Sequence, residues 1–235
     1  MTAAPQLQQA YVLHRRPYRN TSLLLDVLSA DHGRVGLVAR GGQRNALLQP
    51  FQPLLLGWRG RHELRSLTGV EAAQMLPPLQ GESLYCGLYL NELLVRLLHR
   101  DVPQLALFAT YAETLNQLLE RTSHADVILR RFEFQLLDEL GYGFSLTRQG
   151  NGQLLTGTAR YRFYTDAGLL ADADGPYLGK YLLAMAAGDW QDNVRRQARD
   201  LMREALLPLL GDKPLLSRQL FRGAGKMHSG AQGGD

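Results

Sequence analysis

The chain has 235 residues, 45% hydrophobic and 20% charged, the composition of an ordinary globular protein with room for one large domain or two to three small ones. Its single cysteine, Cys86, excludes internal disulfides and any multi-cysteine zinc site. No apolar run approaches a membrane span, and the opening MTAAPQLQQ is too polar for a signal peptide, so a cytoplasmic protein is expected.

The net charge of +4 is unevenly spread. Residues 1–80 hold nine arginines against Asp26, Asp31, Glu63 and Glu71, whereas residues 81–150 hold six arginines against nine acids. A basic first module joined to an acidic one suggests a polyanionic partner for the first.

Residues 10–71 read as five short strands, AYVLH, TSLLLDVLS, RVGLVAR, PLLLGWRG and ELRSLTGVE, separated by glycine-rich turns. Five such strands suit a small closed barrel. The OB-fold is the commonest with a basic binding face, and an SH3-like barrel has a similar strand count. Many of the arginines fall at or beside turns, which predicts a basic rim. Pro77-Pro78 and Gly81 mark a junction. SLYCGLYLNELLVRLLH (83–99) is apolar on nearly every face and predicts a buried helix. A second helix follows Pro103, with Leu107, Tyr111, Leu115, Leu118 and Leu119 on one side. In LRRFEFQLLDELGYG (129–143), Leu129, Phe132, Leu136 and Leu140 form an apolar stripe. Ser123 and Asp126 suggest a capping box at its start, with Asp126 offsetting Arg130, and Gly141 and Gly143 a stop. Three helices with short connections predict an antiparallel bundle.

Residues 144–175 lose the helical period and read as two or three short strands. Helices return in PYLGKYLLAMAAG and Asn193–Leu210, the latter capped by Asp189 or Asp192 and carrying Arg195, Arg196, Arg199 and Arg203 along one side. The tail from Gly223 is glycine-rich and reads as disordered. The histidines show no metal-protease spacing, and no nucleophile elbow, dinucleotide fingerprint or P-loop is present, which favours a binding protein over an enzyme.

Several segments together are specific in order and spacing. VLHRRPYRNTSLLLDVLSADHGRVGLVARG (12–41), LQPFQPLLL (48–56), LYCGLYLNELLVRLL (84–98), LRRFEFQLLDELGYG (129–143) and KPLLSRQLFR (213–222) resemble the RecO family of bacterial recombination mediator proteins. The resemblance runs from about Tyr11 to Arg222. It implies an α+β architecture: an N-terminal five-stranded OB-fold barrel (1–80), a central helical bundle domain (81–143), a small β/turn insertion (144–175) and C-terminal helices packed on the helical domain (176–222). It further implies binding of single- and double-stranded DNA, strand annealing, and help in loading recombinase onto DNA coated by single-strand-binding protein. The implied partners are RecR and the acidic C-terminal tail of single-strand-binding protein, with no cofactor and the chain acting as a monomer. Many family members carry a four-cysteine zinc site in the third region, which one cysteine cannot build. The loop after Gly41 is shorter and less basic than is common in the family.

On this basis Arg15, Arg16, Arg19, Arg34, Arg40 and Arg44 are expected to hold DNA, joined by Arg59 and Arg61, with Tyr18 stacking on a base. Arg121, Arg130 and Arg131 are expected to hold the partner's acidic tail, beside an apolar wall of Leu107, Phe108 and Tyr111. The competing reading is a protein-binding adaptor with an OB-fold and no direct DNA contact.

Overall fold

A computed structural model of the chain describes residues 7–220. The glycine-rich tail and the last two residues of KPLLSRQLFR lie outside the described residues. Five strands close a barrel: β1 (Gln8–Tyr18), β2 (Ser22–Ser29), β3 (Gly33–Ala39), β4 (Leu54–Arg59) and β5 (Leu64–Ala72). Their order is β1-β2-β3-β5-β4, with β4 returning to β1 and β3 running parallel to β5. An up-and-down barrel would pair β3 with β4. The β3–β5 closure is the Greek-key order of an OB-fold, which decides between the two barrels. Ala10, Val12, Leu23, Leu25, Val27, Val35, Leu37, Ala39, Leu54 and Leu56 fill the interior. Alternation is what makes this core, since residues two apart share a face.

β1 is longer than AYVLH because it continues through HRRPY to Tyr18 after an irregularity between Val12 and His14. Arg15 and Arg16 therefore stand on a strand rather than in a turn.

Helix α1 (Glu82–Leu97) buries Cys86, Tyr89, Leu90, Leu93 and Leu94, in keeping with its all-round apolar character. Helix α2 (Leu105–Glu120) puts its stripe of Leu107, Phe108, Tyr111, Leu115 and Leu118 inside. Tyr11 of β1 meets Phe108 at 5.5 Å and Tyr111 edge-on at 5.2 Å between ring centroids. Asn91 binds this layer to the barrel: its amide donates to Leu13 O at 2.8 Å and its Oδ1 accepts from the Tyr111 hydroxyl at 2.5 Å. The chain comes back to the same layer at its far end. Glu92 accepts from the backbone N–H of Leu216 and of Ser217 and from the Ser217 hydroxyl, capping helical residues that begin at 217.

The described residues divide into two compact units, residues 7–120 with 214–220, and residues 121–213. The division falls between α2 and α3 (Ala125–Glu139), so the three predicted helices do not form one unit. In the second unit α3 packs on α5 (Asp192–Leu210), and α4 (Gly179–Ala187) also packs on α5. The capping box is not formed. The N-cap is His124, with no side-chain cap, because Asp126 pairs with Arg195 of α5 at 2.9 Å. Arg130 pairs instead with Glu133 at 2.6 Å, both buried. The start of α5 is likewise capped by neither Asp189 nor Asp192 but begins after Gln191, and Asp192 joins Arg195. Gly141 does end α3, at φ 81, and the Tyr142 amide reaches back to Leu137 O at 2.8 Å.

Strands β6 (Arg160–Tyr164), β7 (Gly168–Ala171) and β8 (Tyr177–Leu178) make a small sheet, ordered β7-β6-β8. Side chains cross-link this sheet. Arg162 pairs with Asp172 at 2.6 Å, Arg160 donates to Gly175 O at 2.7 Å, and Gln149 Oε1 accepts from the Ala171 amide. The Arg162 guanidinium, by hydrogen bond and by charge, holds the Asp172 carboxyl below its usual range. Among the described residues no group of three or more His, Cys, Asp or Glu is placed to hold a metal, and no helix is long and apolar enough to cross a membrane.

Candidate nucleic-acid interface

With Leu23, Leu25 and Val27 pointing into the barrel, Ser22, Leu24, Asp26 and Leu28 stand on its outer face. Register extends that face across the sheet. Arg16 is opposite Leu24, which is opposite Val38, which is beside Ser66. Tyr18 is opposite Ser22, and Arg40 follows the Leu23–Ala39 pair one step further out.

The two halves of this face differ. Toward the β2–β3 turn it is covered by residues 98–103. Arg34 and Arg100 both pair with Asp26 Oδ1, at 2.9 and 2.7 Å, and Arg34 also donates to Leu98 O. The Asp101 amide donates to Arg34 O, and Gly33 passes so close to Val102 that an added Cβ would lie 1.8 Å from its carbonyl oxygen. Only glycine, which also tolerates φ 63, can occupy that position.

Toward the β1–β2 turn the face is open. Arg16, Arg19, Arg40 and Arg44 are exposed, and none makes an ion pair among the described residues. No acidic residue occurs in 14–24 or 36–53, the segments that build this end. A turn of 3₁₀ helix at Gly42–Arg44 carries Arg44, and Gln43 ties that turn down by donating to Ser22 O at 3.0 Å while its amide donates to Thr21 O. The Arg19 guanidinium lies 5.1 Å from the centre of the half-buried Tyr18 ring. Four exposed guanidiniums without carboxylates repel one another, and a polyanion relieves that repulsion.

The expected DNA residues therefore separate. Arg16, Tyr18, Arg19, Arg40 and Arg44 gather at one end of the barrel. Arg59 and Arg61, also exposed, stand at the other end, Arg59 closing β4 and Arg61 in the turn after it, so the arginines do not form one rim. Arg34 is spent on Asp26, and Arg15 is half-buried and donates to Leu48 O at 3.1 Å. Both make contacts within the protein rather than facing solvent.

Of the residues expected to hold an acidic peptide, Arg121 and Arg131 are exposed in the second unit. Arg130 is closed in with Glu133. Leu107, Phe108 and Tyr111 are core side chains of the first unit, packed through Tyr11, and do not present a free wall. The i,i+3 spacing of Arg130 and Glu133 was a readable signal for that pair. Gln43, Arg100 and Trp58 carry parts of the barrel surface that charge counting alone passes over.

Residues 3–76 match the family described as Recombination protein O N terminal, and residues 78–219 match Recombination protein O C terminal. The chain belongs to the RecO family of DNA repair proteins. A DNA repair protein RecO from Nitrosospira multiformis is 44% identical over 230 residues, covering 92% of this chain and 95% of its own length. One from Haemophilus influenzae is 42% identical over 226 residues, covering 92% and 95%, and one from Pseudoalteromonas atlantica 40% over 230 residues, covering 94% and 95%. The two RecO matches meet at residues 76–78, in the Leu76-Pro77-Pro78 segment between β5 and α1. The RecO resemblance of the five sequence segments is thereby shown over most of the chain, and a role in DNA repair follows from it.

Proposed function

We propose that this RecO-family protein is a recombination mediator that works by binding, without enzymatic turnover. It holds single- and double-stranded DNA over the open outer face of the barrel, brings complementary strands together to anneal, and helps load recombinase onto DNA coated by single-strand-binding protein. The observation that carries this reading is the acid-free group of Arg16, Arg19, Arg40 and Arg44 beside Tyr18. Guanidiniums bind phosphates bidentately, and an aromatic ring beside them offers a stacking surface to any base, which suits binding without sequence preference. RecR and the acidic tail of single-strand-binding protein are the proposed partners, at the nucleoid. For the tail, Arg121 and Arg131 supply the cations, since a guanidinium matches a terminal carboxylate.

A salt titration of oligonucleotide binding tests the DNA reading. Four phosphate contacts to a single strand give a log–log slope of about −3. An adaptor without DNA contact shows no binding to titrate. For the tail, a labelled acidic peptide should bind wild type and lose most of its affinity with Arg121→Ala plus Arg131→Ala. Equal binding by the double variant puts the site elsewhere.

A further inference from the structure

At the end of the barrel opposite the open arginine face, the turn between β4 and β5 borders a cavity of about 420 Å³ lined by Gln8, His32, Trp58, Arg59, Arg61 and Arg65. We propose that this cavity receives a single unstacked nucleotide of a DNA strand, its base against Trp58 and its phosphate between Arg59 and Arg61. The inference rests on the reading that DNA crosses the barrel, and adds to it a pocket for one base.

Each part of the chemistry has its residue. Trp58 keeps the inward alternation of Leu54 and Leu56 at the end of β4, and this half-buried ring both packs against the barrel core and lines the cavity. His32 meets Trp58 edge-on, with ring centroids 5.4 Å apart at 84°, so one aromatic ring steadies the other. His32 Nδ1 is shut off from solvent, so His32 serves the site through its ring contact with Trp58. Gln8 accepts from Ser29 through Oε1, and its amide nitrogen makes no hydrogen bond among the described residues. Base edges supply both donors and acceptors for such groups. Arg65 is fixed against Asp101 at 2.7 Å and serves as wall, leaving Arg59 and Arg61 as the exposed cations.

Charge balance argues for a nucleotide over a bare anion. Asp31 precedes His32, and Glu63 lies two residues from both Arg61 and Arg65, so carboxylates stand close to these cations in the chain. A phosphate alone gains little there, and the aromatic contact has to supply the rest; stacking of a base on such a ring is worth about 1–3 kcal/mol, that is, about 5- to 150-fold in affinity. The eight residues of β2 span about 26 Å, so one strand can touch both ends of the barrel. A base paired and stacked in a duplex is not presented to such a cavity, so the cavity takes its base from a single strand.

The test uses Trp58 as its own reporter. The chain has two tryptophans, so Trp190→Phe leaves Trp58 as the only emitter, and the difference between wild type and Trp58→Phe gives the same signal should Trp190→Phe fold poorly. Binding is followed in parallel by anisotropy of a labelled oligothymidylate. The expected result is a saturable loss of Trp58 emission with the single strand, none with a blunt duplex that binds by anisotropy, and none with inorganic phosphate. Arg59→Glu plus Arg61→Glu should raise the midpoint of that loss at least about tenfold. Anisotropy without any change in Trp58 emission, or equal loss with the duplex, overturns the cavity and leaves the DNA reading standing. No anisotropy change overturns both. Thymidine monophosphate acting at lower concentration than the strand assigns the cavity to free nucleotides and overturns the strand assignment.

Discussion

Tyr111→Phe removes one oxygen from the layer that joins the barrel to its two helices. The Tyr111 side chain is fully buried, and its hydroxyl donates to Asn91 Oδ1, whose amide in turn donates to Leu13 O on β1. Burial, together with the neighbouring Tyr11, pushes the Tyr111 hydroxyl well above its usual pKa despite the hydrogen bond to Asn91, so it stays protonated as a donor. Deleting it leaves the buried Asn91 Oδ1 without that bond, at a cost of about 1–3 kcal/mol. Asn91→Leu costs more, since it removes the donor to the Leu13 carbonyl as well as the acceptor of the Tyr111 hydroxyl. In the double variant the Asn91–Tyr111 bond is lost once rather than counted twice, so its cost falls short of the sum by about 0.5–3 kcal/mol. Urea denaturation of the four proteins measures all three quantities. Additive costs, or a Tyr111→Phe variant as stable as wild type, would refute the view that this network bonds barrel to helices.

Two further expectations concern the same layer. Leu94 is fully buried in α1, so Leu94→Ala opens a cavity and costs about 2–5 kcal/mol by denaturation, with DNA affinity of the folded fraction unchanged. Burial pushes the Glu92 carboxyl up, but the hydrogen bonds from Ser217 and Leu216, aided by Arg96, outweigh it and hold the group below its ordinary value of 4.5. A depressed folded pKa means the docking of residues 214–220 is favoured above pH 4.5 and lost as pH falls through the lower folded value. The amide resonances of Leu216 and Ser217 should therefore shift together in mild acid, and Glu92→Gln should remove that pH dependence.

The barrel was legible because its signals are local. Val27, Leu25 and Leu23 alternate with polar or half-buried neighbours, and glycines punctuate the turns. Helix α1 was legible because apolar residues run through it on nearly every face, with Asn91, Glu92 and Arg96 its few polar breaks after the first turn. The end of β1 was not: His14, Arg15, Arg16 and Pro17 lack the strand pattern, and their extended form comes from pairing with Leu23 to Asp26. Caps misled for the same reason. Asp126 had a local role available at the start of α3, and a partner 69 residues away, Arg195, took it. Arg34 was counted as a rim cation because Asp26 and Arg100 reach it only through the folded sheet and the segment after α1. Arginine content thus located the basic module, and tertiary ion pairing decided which arginines remain open.

The central claim is that the open arginines at the β1–β2 end hold phosphate. Its most direct measurement is anisotropy of a labelled single strand against salt for wild type and for Arg16→Glu, Arg40→Glu, Arg44→Glu combined, with circular dichroism confirming the fold. Loss of three contacts should weaken binding steeply at low salt and flatten the log–log slope by about 2. A triple variant with wild-type affinity and slope would place the DNA on another surface.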